Sequence, residues 1–173
     1  MCALEAEDAE DAEASITLLQ PSAGSANRLA ITDIDAVSGT AQGLDIHVGL
    51  ADVDITGQIN GLDALSITAN TIALNDLDGF MQVTLTADQQ VELNQAGVNQ
   101  ALDQITVAAN QIQVHQIESV NQQSYLLPAY DSSLDDQTVT DVLTLTGSLS
   151  SVDGDISVGN IRVNGSTPNI GTD

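Results

Sequence analysis

The stretch GLDALSITANTI, residues 61–72, returns forty positions later as ALDQITVAANQI, residues 101–112. Leu-Asp, two alternating apolar positions, Ala-Asn and a closing Ile keep their offsets in both. A catalytic motif seldom needs a second copy, whereas a coil that must stack on its neighbour does. The repeat therefore speaks first about architecture.

Outward from that pair, Gly43, Gly61, Gly79 and Gly97 recur at steps of eighteen, each followed by an apolar residue: Leu44, Leu62, Phe80 and Val98. The same step separates Ser133-Leu134-Asp135, Ser151-Val152-Asp153 and Asn169-Ile170. The forty-residue offset fits if about four extra residues enter in the Asn/Gln/Gly-rich segment Asn94 to Gln100. Coils are then expected to begin near Ser25, Gly43, Gly61, Gly79, Ala101, Ser119, Ser133 and Ser151. Inside them LSIT, VTLT, ITVA and IRVN alternate with period two, which is the pattern of strands with one face in and one face out. A second phrase recurs from Asn27 (NRLAITDIDAV), Asn70 (NTIALNDLDGF) and Asn110 (NQIQVHQIESV), placing Asn at bends, where it tolerates left-handed backbone.

These periods predict an all-β fold, a β-solenoid (β-helix) with coils of about 18 residues whose strands stack in parallel. Eight such coils would form a rod of roughly 40 Å. The alternative is an antiparallel β-sandwich with coincidental turn spacing. Residues 1–14, MCALEAEDAEDAEA, alternate Ala with acid and form a separate acidic segment, a tail, cap or partner-engaging arm, ahead of one domain spanning 15–173.

Composition narrows the partners. There is no Lys, the two cations are Arg28 and Arg162, and the net charge is -23, so phosphate contacts have almost no cation to make them. Nucleic acid binding is excluded on that ground, and an anionic membrane surface would be repelled. No apolar run reaches membrane-spanning length, and the single Cys2 has no internal partner for a disulfide. The aromatics are limited to Phe80, Tyr125 and Tyr130, so the core is expected to be thin layers of Leu, Ile, Val and Ala.

Two sets of columns are candidate sites. Asp45, Asp63, Asp103, Asp135 and Asp153 each follow a small-apolar pair and would form a carboxylate column able to bind calcium, or else cap turns through backbone N–H groups. Two unit charges 4.8 Å apart repel by about 0.9 kcal/mol in water, so adjacent members need a cation, a proton or a donor. Ser66, Thr68, Thr84, Thr86, Thr106, Thr138 and Thr140 would form a flat hydroxyl face, with good strand propensity as the plain explanation. That array resembles the ice-binding face of some antifreeze solenoids, which implies an ice- or carbohydrate-binding module. His47 and His115 have no partner at metal-ligand spacing. No nucleophile elbow, triad or phosphate loop is present, and an eighteen-residue coil that resembles those of hexapeptide acyltransferases lacks their strict apolar hexad; the expectation is a protein that is not an enzyme and has no cofactor except calcium.

The phrases NTIALNDLDGF and ISVGNIRVNG on a lysine-free acidic background are similar to those of repetitive, β-rich secreted proteins of bacterial surfaces and biofilm matrices, including components of pilus systems. The resemblance implies an extracellular or cell-surface structural protein. A stacked-coil rod has two open strand edges, so self-assembly into a homopolymeric fibre or matrix is the expected mode of action.

Overall fold

The computed structural model describes residues 12–17, 27–35, 42–79, 81–127, 143–158, 161–163 and 169–172. Its strands are β1 (Ala12–Thr17), β2 (Arg28–Ile31), β3 (Ile34–Asp35), β4 (Gln42–His47), β5 (Asp52–Asn60), β6 (Ala64–Asp78) and β7 (Gln82–Ala96). They continue with β8 (Gln104–Ala108), β9 (Gln111–Ser119), β10 (Gln123–Leu126), β11 (Leu143–Ser151), β12 (Ile156–Val158), β13 (Ile161–Val163) and β14 (Asn169–Thr172). Every pairing among them is parallel. The chain is a β-solenoid of about five turns with a repeat of roughly 21 residues, and the antiparallel sandwich is excluded. The shorter strands β1–β3 and β12–β14 continue the stack at its two ends.

Each turn contributes to three sheets. The first stacks β1, β4, the start of β6, the start of β7, β8, β10 and β12. The second takes β2, the start of β5, the middle of β6 and β7, the start of β9 and β11, and β13. The third takes β3 and the ends of β5, β6, β7, β9 and β11, then β14. The long strands β6 and β7 bend at their corners and so serve all three sheets.

Alternation explains which side chains enter. In the first sheet Leu44, Leu65, Val83 and Ile105 form one buried row, and Ile46, Ile67, Leu85 and Val107 another. Burying a Val, Leu or Ile side chain contributes about 1.5–3 kcal/mol, and here each also rests on the same kind of residue above and below. The core is aliphatic throughout these rows, as the composition predicts; among the described residues Tyr125 is the aromatic residue within it.

The two phrases that fix the fold lie two coils apart and in register, since Leu65 pairs with Val83 and Val83 with Ile105. The Asn27, Asn70 and Asn110 phrases also coincide, each Asn standing just before the second sheet. The eighteen-residue period does not extend to Gly43. Leu44 pairs with Leu65, not with Leu62: the corner after β4, a turn through Gly49 and the exposed Leu50, adds two residues, and the irregularity between Ile55 and Gln58 adds a third. Corners need not stack, so they absorb residues that the strands cannot.

The expected eight coils are also too many. Ser119 and Ser151 are direct neighbours in the third sheet, so the Ser119 and Ser133 coils are one turn; Ser25, Ser133 and Phe80 lie outside the described residues. Of the four extra residues expected within Asn94 to Gln100, three fall at its end, since β7 runs to Ala96 before the bend at residues 97–100, and one enters within β7 between Ala87 and Gln90. Gly97 begins that bend with φ of 76°, and a Cβ there would sit 2.1 Å from the Glu118 carbonyl oxygen. Only glycine meets both demands.

Candidate functional surfaces

The hydroxyl face forms in part. Ser66, Thr84 and Thr106 occupy one outward row of the first sheet, and Thr68 and Thr86 stand beside them in a second. The second row then changes character: Thr86 pairs with Ala108, and Ala108 with the exposed Leu126. At the other end the rows continue into Asp45 and His47. The complete two-row array therefore spans two coils, and Thr138 and Thr140 lie outside the described residues.

The carboxylate column does not assemble as spacing suggests. Asp45 pairs with Ser15 and Ser66. Asp63 and Asp103 occupy one position two coils apart, at the level of Met81 between them. Asp153 stands in the turn before β12, where its N–H donates to the Val120 carbonyl at 2.7 Å, and Asp135 lies outside the described residues. The shift of three positions, two at the β4 corner and one at the irregularity between Ile55 and Gln58 in β5, separates Asp45 from the others. Among the described residues no cluster of three His, Cys, Asp or Glu residues has the geometry to hold a metal ion.

A different electrostatic order emerges instead. In no described register pair does an acidic residue face another acidic residue. Asp52 lies between Arg28 and Thr71, Asp76 between Gln58 and Gln95, and Glu92 between Ala73 and Gln113. Amides take the place that lysine would hold in another protein. Asn60 Nδ2 donates to Asp35 at 3.3 Å, Asn70 Nδ2 to Asp52 at 2.9 Å and Gln58 Nε2 to Asp76 at 3.2 Å. Asn121 Nδ2 and Gln82 Nε2 both reach Asp103, at 2.5 and 3.2 Å, and Asn99 binds Asp78 through its side chain and its N–H. Arg28 pairs with Asp54. A parallel stack puts like residues about 4.8 Å apart, so interleaving acids with amides and hydroxyls removes the repulsion that an acidic row would suffer.

The second sheet carries a feature that sequence spacing missed. Along its edge toward the third sheet runs an open groove of about 540 Å³, lined among others by Thr56, Asn75, Asn94, His115 and Thr146. Asn94 Nδ2 donates to Asn75 Oδ1 at 3.0 Å, and His115 Nδ1 lies 3.0 Å from Thr146 Oγ1. Read singly, Asn94 falls in the segment expected to hold extra residues and His115 lacks a partner; only stacking puts them in one line with Asn75. His47 lies on the first sheet, in register with Thr68.

Finally, the ends of the stack differ from its middle. Leu149 is fully buried, whereas Ile170, which pairs with it in the last coil, is 45% exposed. Ile156 and Val158 are only half-buried, as are Leu29, Ile31 and Ile34 at the opposite end.

No protein-family model, curated protein or solved structure matches the chain. Its function has to follow from these surfaces.

Proposed function

We propose that the protein is a non-enzymatic extracellular structural protein, a subunit of a fibre or biofilm matrix that assembles end to end through its terminal coils. The observation that supports this most is Ile170, which pairs with the fully buried Leu149 yet is itself 45% exposed. Ile156 lies beside it, and Ile156 and Val158 are only half-buried. A further coil of the same kind, supplied by a second copy, would bury these side chains and pair the outer strand edge. The net charge of -23 opposes random association and makes ordered stacking dependent on ionic strength. The resemblance to repetitive secreted surface proteins points to the same role and to a cell-surface location.

Negative-stain microscopy of the purified chain at rising ionic strength tests this reading. Filaments that lengthen with salt, and that Ile170→Asp shortens or abolishes, are the expected result. Discrete particles at every ionic strength would refute it. A second reading, a module that presents its hydroxyl face to ice, is favoured by the Ser66/Thr68 and Thr84/Thr86 block. Slowed ice growth by monomers, lost in Thr84→Leu, would support that alternative.

A further inference from the structure

We infer that the groove on the second sheet is a binding site for a linear, neutral polysaccharide. Its wall repeats along the axis: Thr56, Asn75, Asn94, His115 and Thr146 offer one hydrogen-bonding side chain per coil. Beside them runs the row Asp54, Ala73, Glu92, Gln113, whose members pair in register. Successive coils stand about 4.8 Å apart, so the groove presents the same chemistry at regular intervals and suits a ligand that is itself repetitive.

The nature of the side chains selects the polymer. Amides, hydroxyls and an imidazole both donate and accept, as sugar hydroxyls do. Glu92 accepts hydrogen bonds from hydroxyls and repels anions, the Arg28 charge beside the groove is taken up by Asp54, and among the described lining residues there is no Lys or Arg to receive phosphate, sulfate or uronate. A peptide strand is the poorer fit, because its N–H and C=O groups seek a sheet edge and this is a sheet face whose backbone is already paired. Ala73, between Asp54 and Glu92, leaves a gap in the outer row through which the ligand reaches the Asn75 amide. Among the described lining residues there is no Phe, Tyr or Trp, so recognition rests on hydrogen bonds, many through water. This site does not depend on end-to-end assembly and lies on a different surface from the terminal coils.

The test is a titration of the isotope-labelled protein, observed by NMR, with cellohexaose, maltohexaose and mannohexaose, and with hexagalacturonate as the anionic counterpart. The expected result is saturable shift changes at the Asn75 and Asn94 side-chain amides and at His115 with at least one neutral hexasaccharide, and none with hexagalacturonate. Asn94→Ala should weaken the neutral ligand by about tenfold, corresponding to about 1.4 kcal/mol. Ala73→Tyr, which fills the gap without removing a polar group, should abolish binding while the remaining amide spectrum stays that of the folded chain. Thr84→Ala, on the first sheet, should change nothing. Saturation by none of the three neutral sugars, equal binding of hexagalacturonate, or shifts confined to Ser66 and Thr84 would each overturn the inference.

Discussion

The turns built from β6 to β9 and the turn that contains β10 and β11 solve the same packing problem with different chemistry. In the former, the two inward rows of the first sheet are Leu65, Val83, Ile105 and Ile67, Leu85, Val107. In the latter the same two positions hold Gln123 and Tyr125, both buried. Their polar atoms are not stranded. Tyr125 Oη donates to Gln123 Oε1 at 3.0 Å, and Gln123 Nε2 donates to Ser119 Oγ at 3.1 Å and to the Ser150 carbonyl at 2.6 Å. Ser119 and Ser151 hydroxyls both donate to the Asn121 carbonyl, at 2.8 and 2.7 Å. The column accepts a polar rung, then, when that rung closes its own hydrogen bonds.

The difference can be broken from either side. The largest effect is expected in the aliphatic turns: Leu85→Ala leaves a cavity in a layer with no polar group to fill it, and should lower stability by about 2–5 kcal/mol in urea unfolding. Tyr125→Phe removes one hydroxyl and leaves the Gln123 carbonyl oxygen without that donor, at a cost of about 1–3 kcal/mol. Adding Gln123→Leu to Tyr125→Phe should recover part of that loss, because the unsatisfied acceptor goes with it. A double variant less stable than Tyr125→Phe would show that the network does more than satisfy itself.

Alkaline pH acts on the same residue. Burial pushes the Tyr125 phenol well above its ordinary value. Its folded form therefore holds a proton that the unfolded chain releases near pH 10, so stability is fully present below that pH and falls as pH rises beyond it. The slope is about 1.4 kcal/mol per pH unit from this one group. Urea midpoints at pH 9 and 11 should show it in the wild type, and Tyr125→Phe should be flatter over that interval.

The smallest effect tests the surface order. Asn60 pairs with Asp35 on one side and Asp78 on the other, so Asn60→Asp would place three carboxylates in one row. Each new contact adds about 0.9 kcal/mol of repulsion in water, which salt screens. The variant should be destabilised in low salt and approach the wild type in high salt. Equal stability at both would mean that the interleaving has no energetic role.

Much of this was legible in the sequence because strands in a solenoid must repeat what they stack on. Leu62-Asp63 and Leu102-Asp103, or Asn70 and Asn110, keep their offsets because each pair holds one register position two coils apart. Corners carry no such obligation. The turn at Gly49 and Leu50, together with the irregularity between Ile55 and Gln58, moves Leu44 from Leu62 to Leu65, and with it Asp45 from Asp63 to Ser66, which dissolves the expected carboxylate column. The polar rung hides for the opposite reason: Gln123 and Tyr125 interrupt the apolar alternation, and the Ser150 carbonyl that Gln123 reaches comes from the far side of the same turn. The groove required the register itself, because His115 and Thr146 are 31 residues apart.

The register of stacking is tested most directly by two engineered disulfides in a Cys2→Ser background. Paired residues on adjacent parallel strands stand about 4.8 Å apart, within the range a disulfide spans. Asp45→Cys with Ser66→Cys should oxidise to an intrachain bond, detected by mass and by a faster-migrating band, without loss of the β-rich circular dichroism. Efficient bonding of Asp45→Cys with Asp63→Cys, and none between positions 45 and 66, would contradict the register from which every surface described here follows.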